Sequence, residues 1–150
     1  MERFAVADFL DVSDIHLRFR AASVIDAIAP LLQPALSRRL DESTVRSIIN
    51  DVVKRETEGT TNCGALGLPH TRSDAVHDFV LSIGVNAEGV IAGQSEPRIM
   101  FAFVSPAAGR QEHLNFLAAL ARLSQNPALV EQIVRAVTPE QVIEAIRSGI

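Results

Sequence analysis

The strand-like run at residues 98–104 places six apolar side chains in succession, Ile-Met-Phe-Ala-Phe-Val at 99–104. A strand with one solvated face alternates apolar and polar residues. A run that is apolar at every position reads as a strand covered on both faces. Such a strand needs amphipathic partners on either side, and the rest of the chain supplies them. A second strand-like run covers residues 78–85, with Ala87-Glu88-Gly89 between the two as turn material. Ile15 to Phe19 alternates and predicts a strand with one buried face.

Helical patterns flank these strands. Ser23 opens the first, with Val24, Ile25, Ala27, Ile28, Leu31 and Leu32 on it and Asp26 in a capping-box position. Pro30 is expected to kink or split this helix, and Pro34 to weaken its end. Asp41 or Ser43 caps a second helix, whose stripe is Val45, Ile48, Ile49, Val52 and Val53 and whose end is Gly59. Three more are predicted in the last third. One begins at Glu112, with Leu114, Leu117, Leu120 and Ala121 as its apolar face. One begins at Asn126-Pro127. One begins at Thr138-Pro139, where Thr138 caps and Gln141 bonds back. Strands with helices on either side in sequence predict a layered α/β domain.

The chain has 150 residues, enough for one domain with a real core. Its net charge of −4 argues against a non-specific nucleic-acid binder, which needs a basic footprint. Lys54 is the only lysine, so nearly all positive charge is arginine. A single cysteine, Cys63, excludes an internal disulfide and fits a reducing compartment. The opening MERFAVADFLDVSD carries Glu2, Arg3, Asp8 and Asp11 and lacks a leader's apolar run. No apolar stretch is long enough to span or insert into a bilayer. The expected location is cytoplasmic.

The chemistry concentrates between residues 55 and 70. Pro69 fixes its own φ and pushes Leu68 toward extended backbone, so His70 leaves a stiff chain in a defined direction. The loop before it, residues 59–67, is small and polar. Its N–H groups, with Gly64 among the turn formers and Thr60 and Thr61 as hydroxyl donors, could form an anion nest beside Arg55. An imidazole is a nucleophile near neutral pH, and a phosphoryl group on it would need such donors. A histidine behind a proline turn with no chemical role is the alternative. Metal binding by His70, His77, His113 and Cys63 matches no recognised zinc spacing, so no metal is expected.

Residues 55–70, RETEGTTNCGALGLPH, resemble the signature of the type-2 enzyme IIA domain of the bacterial phosphoenolpyruvate-dependent phosphotransferase system, the mannitol/fructose and nitrogen-regulatory class. HLNFLAALARLS at 113–124 resembles a second signature of that family, and the closing TPEQVIEAI resembles its last helix. The loop is one residue shorter than usual, and Thr71-Arg72 stands where Gly-Arg is common.

The resemblance implies a three-layer α/β/α domain over residues 1–150 with a small mixed sheet. It implies that His70 accepts a phosphoryl group from a histidine-containing phosphocarrier protein, with His113 supporting and Arg55 stabilising the phosphate. A covalent phosphohistidine would then be the only intermediate, with no cofactor. The expected partners are that carrier and either a regulatory target or an enzyme IIB. A lone domain suggests the nitrogen-regulatory type. A sugar-specific component and a non-phosphorylated interaction module of the same fold are the alternatives, and a hydrolase would lack a third catalytic group. His16, His77 and Cys63 match no site residue.

Overall fold

The computed structural model describes residues 5–150; Glu2 and Arg3, which enter the reading of the N-terminus, lie outside the described residues. The chain begins with two short 3₁₀ turns, Val6–Phe9 and Val12–Asp14. Strand β1 (Ile15–Leu17) leads into helices α1 (Val24–Ser37) and α2 (Glu42–Glu58). Strands β2 (Leu66–Gly67), β3 (His70–Ser73), β4 (Val80–Val85) and β5 (Ile99–Pro106) follow. Helices α3 (Arg110–Ser124), α4 (Pro127–Val134) and α5 (Pro139–Gly149) complete the chain.

The sheet is mixed. β1 pairs parallel with β4, β4 antiparallel with β5, and β2 and β3 both run parallel along the far side of β5. β5, which contains the all-apolar run, is thus central and covered on both faces, as the sequence predicts. Its side chains alternate between two cores. Ile99, Phe101 and Phe103 pack with α3, α4 and α5, whereas Met100, Ala102 and Val104 pack with α1 and α2. This is a three-layer α/β/α arrangement, with each core closed by the pleat of one strand.

Several local expectations hold in detail. Ser23 accepts from Asp26 N, Asp41 from Thr44 N and Asn126 from Leu129 N at the starts of α1, α2 and α4. At α5, Thr138 accepts from Gln141 N, and Gln141 reaches back one residue further than expected, to the backbone N–H of Val137. The turn at Gly89 requires glycine. Its φ is +107°, and a Cβ there would lie 2.0 Å from the carbonyl oxygen of Gln94.

Three expectations are corrected. α1 is one helix running through both prolines, so Pro30 does not split it and Pro34 does not end it. Pro30 and Pro34 are four apart and both exposed, so the carbonyls they leave unbonded face water rather than the core. The face of α3 is rotated: His113, Phe116, Ala119, Leu120 and Leu123 are buried, while Leu114 is 49% exposed. The segment before and after Pro69 is a broken edge strand as well as a loop. β2 and β3 pair with successive stretches of β5, Leu66 with Ile99 and His70 with Phe103. Pro69 has no N–H to give a ladder, which an edge tolerates, and its carbonyl accepts from Phe103 N across the break.

Candidate active site

His70 is the first residue of β3, so its position is set by register rather than by a loop. Its ring lies on the ring of Phe103, with centroids 4.6 Å apart and planes within 1°. Phe103 in turn packs against Phe116 of α3 at 4.6 Å. The His70 Nδ1 lies 2.6 Å from the carbonyl oxygen of Leu68. A carbonyl can only accept, so Nδ1 carries the proton. Nε2 of the neutral ring therefore holds a free lone pair.

His113 stands in the first turns of α3, with its ring centroid 5.6 Å from that of His70. It is 8% exposed, and its Nδ1 is 2.6 Å from the hydroxyl of Ser105. The structure thus brings the two histidines together on the α3 face of the sheet. Arg55 approaches from the other face. Its Nε donates to the hydroxyl of Thr71, the residue of β3 that points toward α2. Arg72, the next residue of β3, returns to the face of His70 and pairs in register with Ser105; its guanidinium donates to the carbonyl of Ala107. Neither Arg55 nor Arg72 has a carboxylate partner among the described residues, a state shared by Arg18, Arg39, Arg110 and Arg122, whereas Arg20, Arg38, Arg46, Arg98, Arg135 and Arg147 are ion-paired.

The loop before His70 is tied to α2. Glu56 is 8% exposed and takes both donors of Thr61, the N–H at 3.3 Å and the hydroxyl at 2.8 Å. The hydroxyl of Thr60 accepts from Asn62 N. Gly64, at φ +57°, turns the chain so that Cys63 and Leu66 bond each other in both directions. Glu56 is a residue that sequence reasoning missed. It lies four residues after Val52 on the buried stripe of α2, and a carboxylate at an apolar stripe position is the signal that could have found it. Arg72 was likewise readable only as a departure in the motif, because a four-residue edge strand of sequence His-Thr-Arg-Ser leaves no apolar alternation to detect.

Removing Glu56 should loosen this loop. Glu56→Ala leaves two half-buried donors of Thr61 without their acceptor, and we expect a loss of about 1–2 kcal/mol in urea unfolding. An unchanged midpoint would mean that water replaces the carboxylate at no cost.

The electrostatics favour neutral imidazoles. Burial, more than any other cause, lowers the pKa of His70, with Arg55 adding to it and Leu68 and Glu56 opposing. Burial also lowers His113, followed by the charges of His70, Arg72 and Arg55. His16 is lowered by burial as well, against the charge of Asp14. Each of these rings binds its proton less readily folded than unfolded. The stability they contribute is therefore fully present above the unfolded value, about 6.5, and is lost as pH falls below it. The urea midpoint should drop between pH 7.5 and pH 5.5, and the drop should shrink in His113→Gln; a pH-independent midpoint would contradict the burial of these rings.

Among the described residues no group of three or more His, Cys, Asp or Glu could hold a metal ion, and no helix is long and apolar enough to cross a membrane.

The family described as "Phosphoenolpyruvate-dependent sugar phosphotransferase system, EIIA 2" matches the chain over residues 8–149. The fructose-specific EIIA component of the phosphotransferase system of Haloferax volcanii is 30% identical over 102 residues, 65% of this chain. The chain spans 66% of that curated relative, just under two thirds of its length. Two solved structures share the fold. The nitrogen regulatory protein IIA-Ntr from Neisseria meningitidis superposes with a TM-score of 0.76 at 21% identity, covering 94% of this chain and 98% of its own. The mannitol enzyme IIA of Escherichia coli, in complex with phosphorylated enzyme IIB, gives 0.73 at 17% identity, covering 93% and 97%.

Proposed function

The chain belongs to the EIIA 2 family of the phosphoenolpyruvate-dependent sugar phosphotransferase system, and from that premise we propose that it is a phosphocarrier whose acceptor is Nε2 of His70. The observation that carries this reading is the hydrogen bond from His70 Nδ1 to the Leu68 carbonyl, which leaves the other ring nitrogen unprotonated. Its lone pair attacks the phosphorus of a phosphohistidine on a histidine-containing carrier protein. The Nε2–P bond forms as the donor's N–P bond breaks, and the donor imidazole leaves with the electron pair. His70 has no proton to shed at Nε2, so no general base is needed.

What remains is placement and charge. The stacked ring of Phe103 fixes the imidazole. His113 faces it from the positive end of α3. Arg55 neutralises the phosphoryl oxygens by leaving the Thr71 hydroxyl and reaching around the sheet edge, and Arg72 adds charge from the same face as His70. The anion nest expected of the loop is not supported, because Thr61 gives both its donors to Glu56, Asn62 N–H goes to Thr60, and Cys63 and Leu66 bond each other. Thr60, Thr61 and Gly64 act on the phosphate by shaping the loop instead. The phosphohistidine is the only intermediate, and no cofactor or metal is required.

The 30% identical fructose-specific relative favours a sugar-specific component that passes its phosphoryl group to an enzyme IIB in the cytoplasm. The nitrogen-regulatory reading shares every step at His70 and differs only in the recipient. The test is intact-protein mass after incubation with phosphoenolpyruvate, enzyme I and the carrier protein, followed by addition of a fructose-type enzyme IIB. One phosphoryl adduct that then moves to IIB is the expected result. No adduct overturns the phosphocarrier reading in favour of an interaction module; an adduct that no IIB accepts supports the regulatory type.

A further inference from the structure

The two histidines of the site have opposite neighbours. His70 Nδ1 meets a carbonyl, whereas His113 Nδ1 meets a hydroxyl. Ser105 is fully buried, at 0% exposure, and its hydroxyl has no other partner among the described residues. If Nδ1 of His113 were the donor, the hydroxyl proton would be left in the core without an acceptor. The satisfied arrangement has Ser105 donating and Nδ1 accepting. The proton of the neutral ring then sits on Nε2.

Strand register explains why this pair forms. Ser105 follows Phe103 by two on β5 and shares its face, the face toward α3. The Phe103 ring carries His70, and the Ser105 hydroxyl carries His113, so one strand orients both imidazoles. Their centroids are 5.6 Å apart. A phosphoryl oxygen on His70 is an acceptor and is matched by an N–H on the facing ring, not by a second lone pair.

We propose that Ser105 is a positioning residue, holding His113 in the Nε2–H tautomer so that this ring donates a hydrogen bond to the phosphoryl group at His70. The donor role rests on His70 being the phosphoryl acceptor; the tautomer does not. Ser105 lies one residue beyond the all-apolar run and just after the strand expected from sequence.

The test has two readings on one labelled protein. Long-range nitrogen–hydrogen correlation spectra of the unphosphorylated wild type at neutral pH report the His113 tautomer directly. The Nε2–H pattern is expected, and an Nδ1–H pattern overturns the assignment. Phosphorylation is then followed with phosphoramidate, in which His70 Nε2 attacks phosphorus, the new N–P bond forms and ammonia leaves with the old one. Ser105→Ala should slow this uptake about tenfold, the scale of losing an orienting partner of a functional imidazole. It should have no further effect in a His113→Ala background. An equal slowing in that background, or wild-type uptake in Ser105→Ala, shows that Ser105 does not act through His113 and overturns the proposal. Wild type that takes no phosphoryl group at all, with the Nε2–H pattern present, removes the phosphocarrier reading and with it the donor role, while the tautomer stands.

Discussion

His70→Ala is expected to take no phosphoryl group from the carrier protein while keeping the fold and most of its stability. The loss should be complete, because no other described histidine combines a bound Nδ1 proton with a free Nε2 at this face. His113 is turned the other way by Ser105, and His77 is exposed, outside the strands. The imidazole of His70 lies on top of Phe103 at the sheet edge, so its removal uncovers one aromatic face without opening a cavity in the closed core. Mass spectrometry gives the acceptance, and circular dichroism with urea unfolding gives the fold. A phosphoryl adduct on the variant would move the acceptor elsewhere. An unfolded variant would show that the stacked ring is structural after all.

Phe103→Ala should have the largest effect on stability, about 3–5 kcal/mol. Phe103 is fully buried in the middle of β5, pairs with β3 on one side and β4 on the other, and touches Phe116. Truncation leaves a cavity that two neighbouring strands cannot collapse into. The same ring is the platform for His70, so the variant should also accept phosphate more slowly in proportion to the fraction that remains folded and beyond it. Phe103→Leu separates the two effects. It retains most of the buried volume and should cost less than about 1.5 kcal/mol, yet it lacks the flat face against which the imidazole is held. Chemical denaturation and phosphoryl uptake on both variants check this. Equal uptake by wild type and Phe103→Leu would show that the backbone alone orients His70.

The sequence reading of the layered architecture succeeded where physics acts locally and strongly. Ile99–Val104 read as a strand with two covered faces, and the caps at Ser23, Asp41, Asn126 and Thr138 announced their helices. It failed where neighbours far along the chain decide. β3 exists because β5 offers it a partner, and four residues beginning His-Thr-Arg-Ser carry no apolar pattern to betray that. Leu114 looked like core by composition, but the phase of α3 is fixed by Phe116 and His113 packing on Phe103 and Ser105. Pro30 and Pro34 looked like breakers because their missing N–H groups were weighed without the side of the helix on which they fall, which is the exposed one.

The site was legible in a similar, uneven way. His70, His113 and Arg55 were singled out through the resemblance of their segments to family signatures, but not the side of the sheet from which each approaches. Arg55 comes from the α2 face and the histidines from the α3 face, and only the alternation of Thr71 and Arg72 on β3 reveals it.

The placement of His70 on a strand bears on how any partner could tell the two forms of the protein apart. A group held by ladder bonds, a stacked ring and a backbone carbonyl has little room to move when its ring is modified. A phosphoryl group would add roughly −1.5 to −2 to a chain of net charge −4, at one rigid point. The message would be written as potential rather than shape. Discrimination by a partner should then appear mainly in the association rate and fade as salt shortens the reach of that charge.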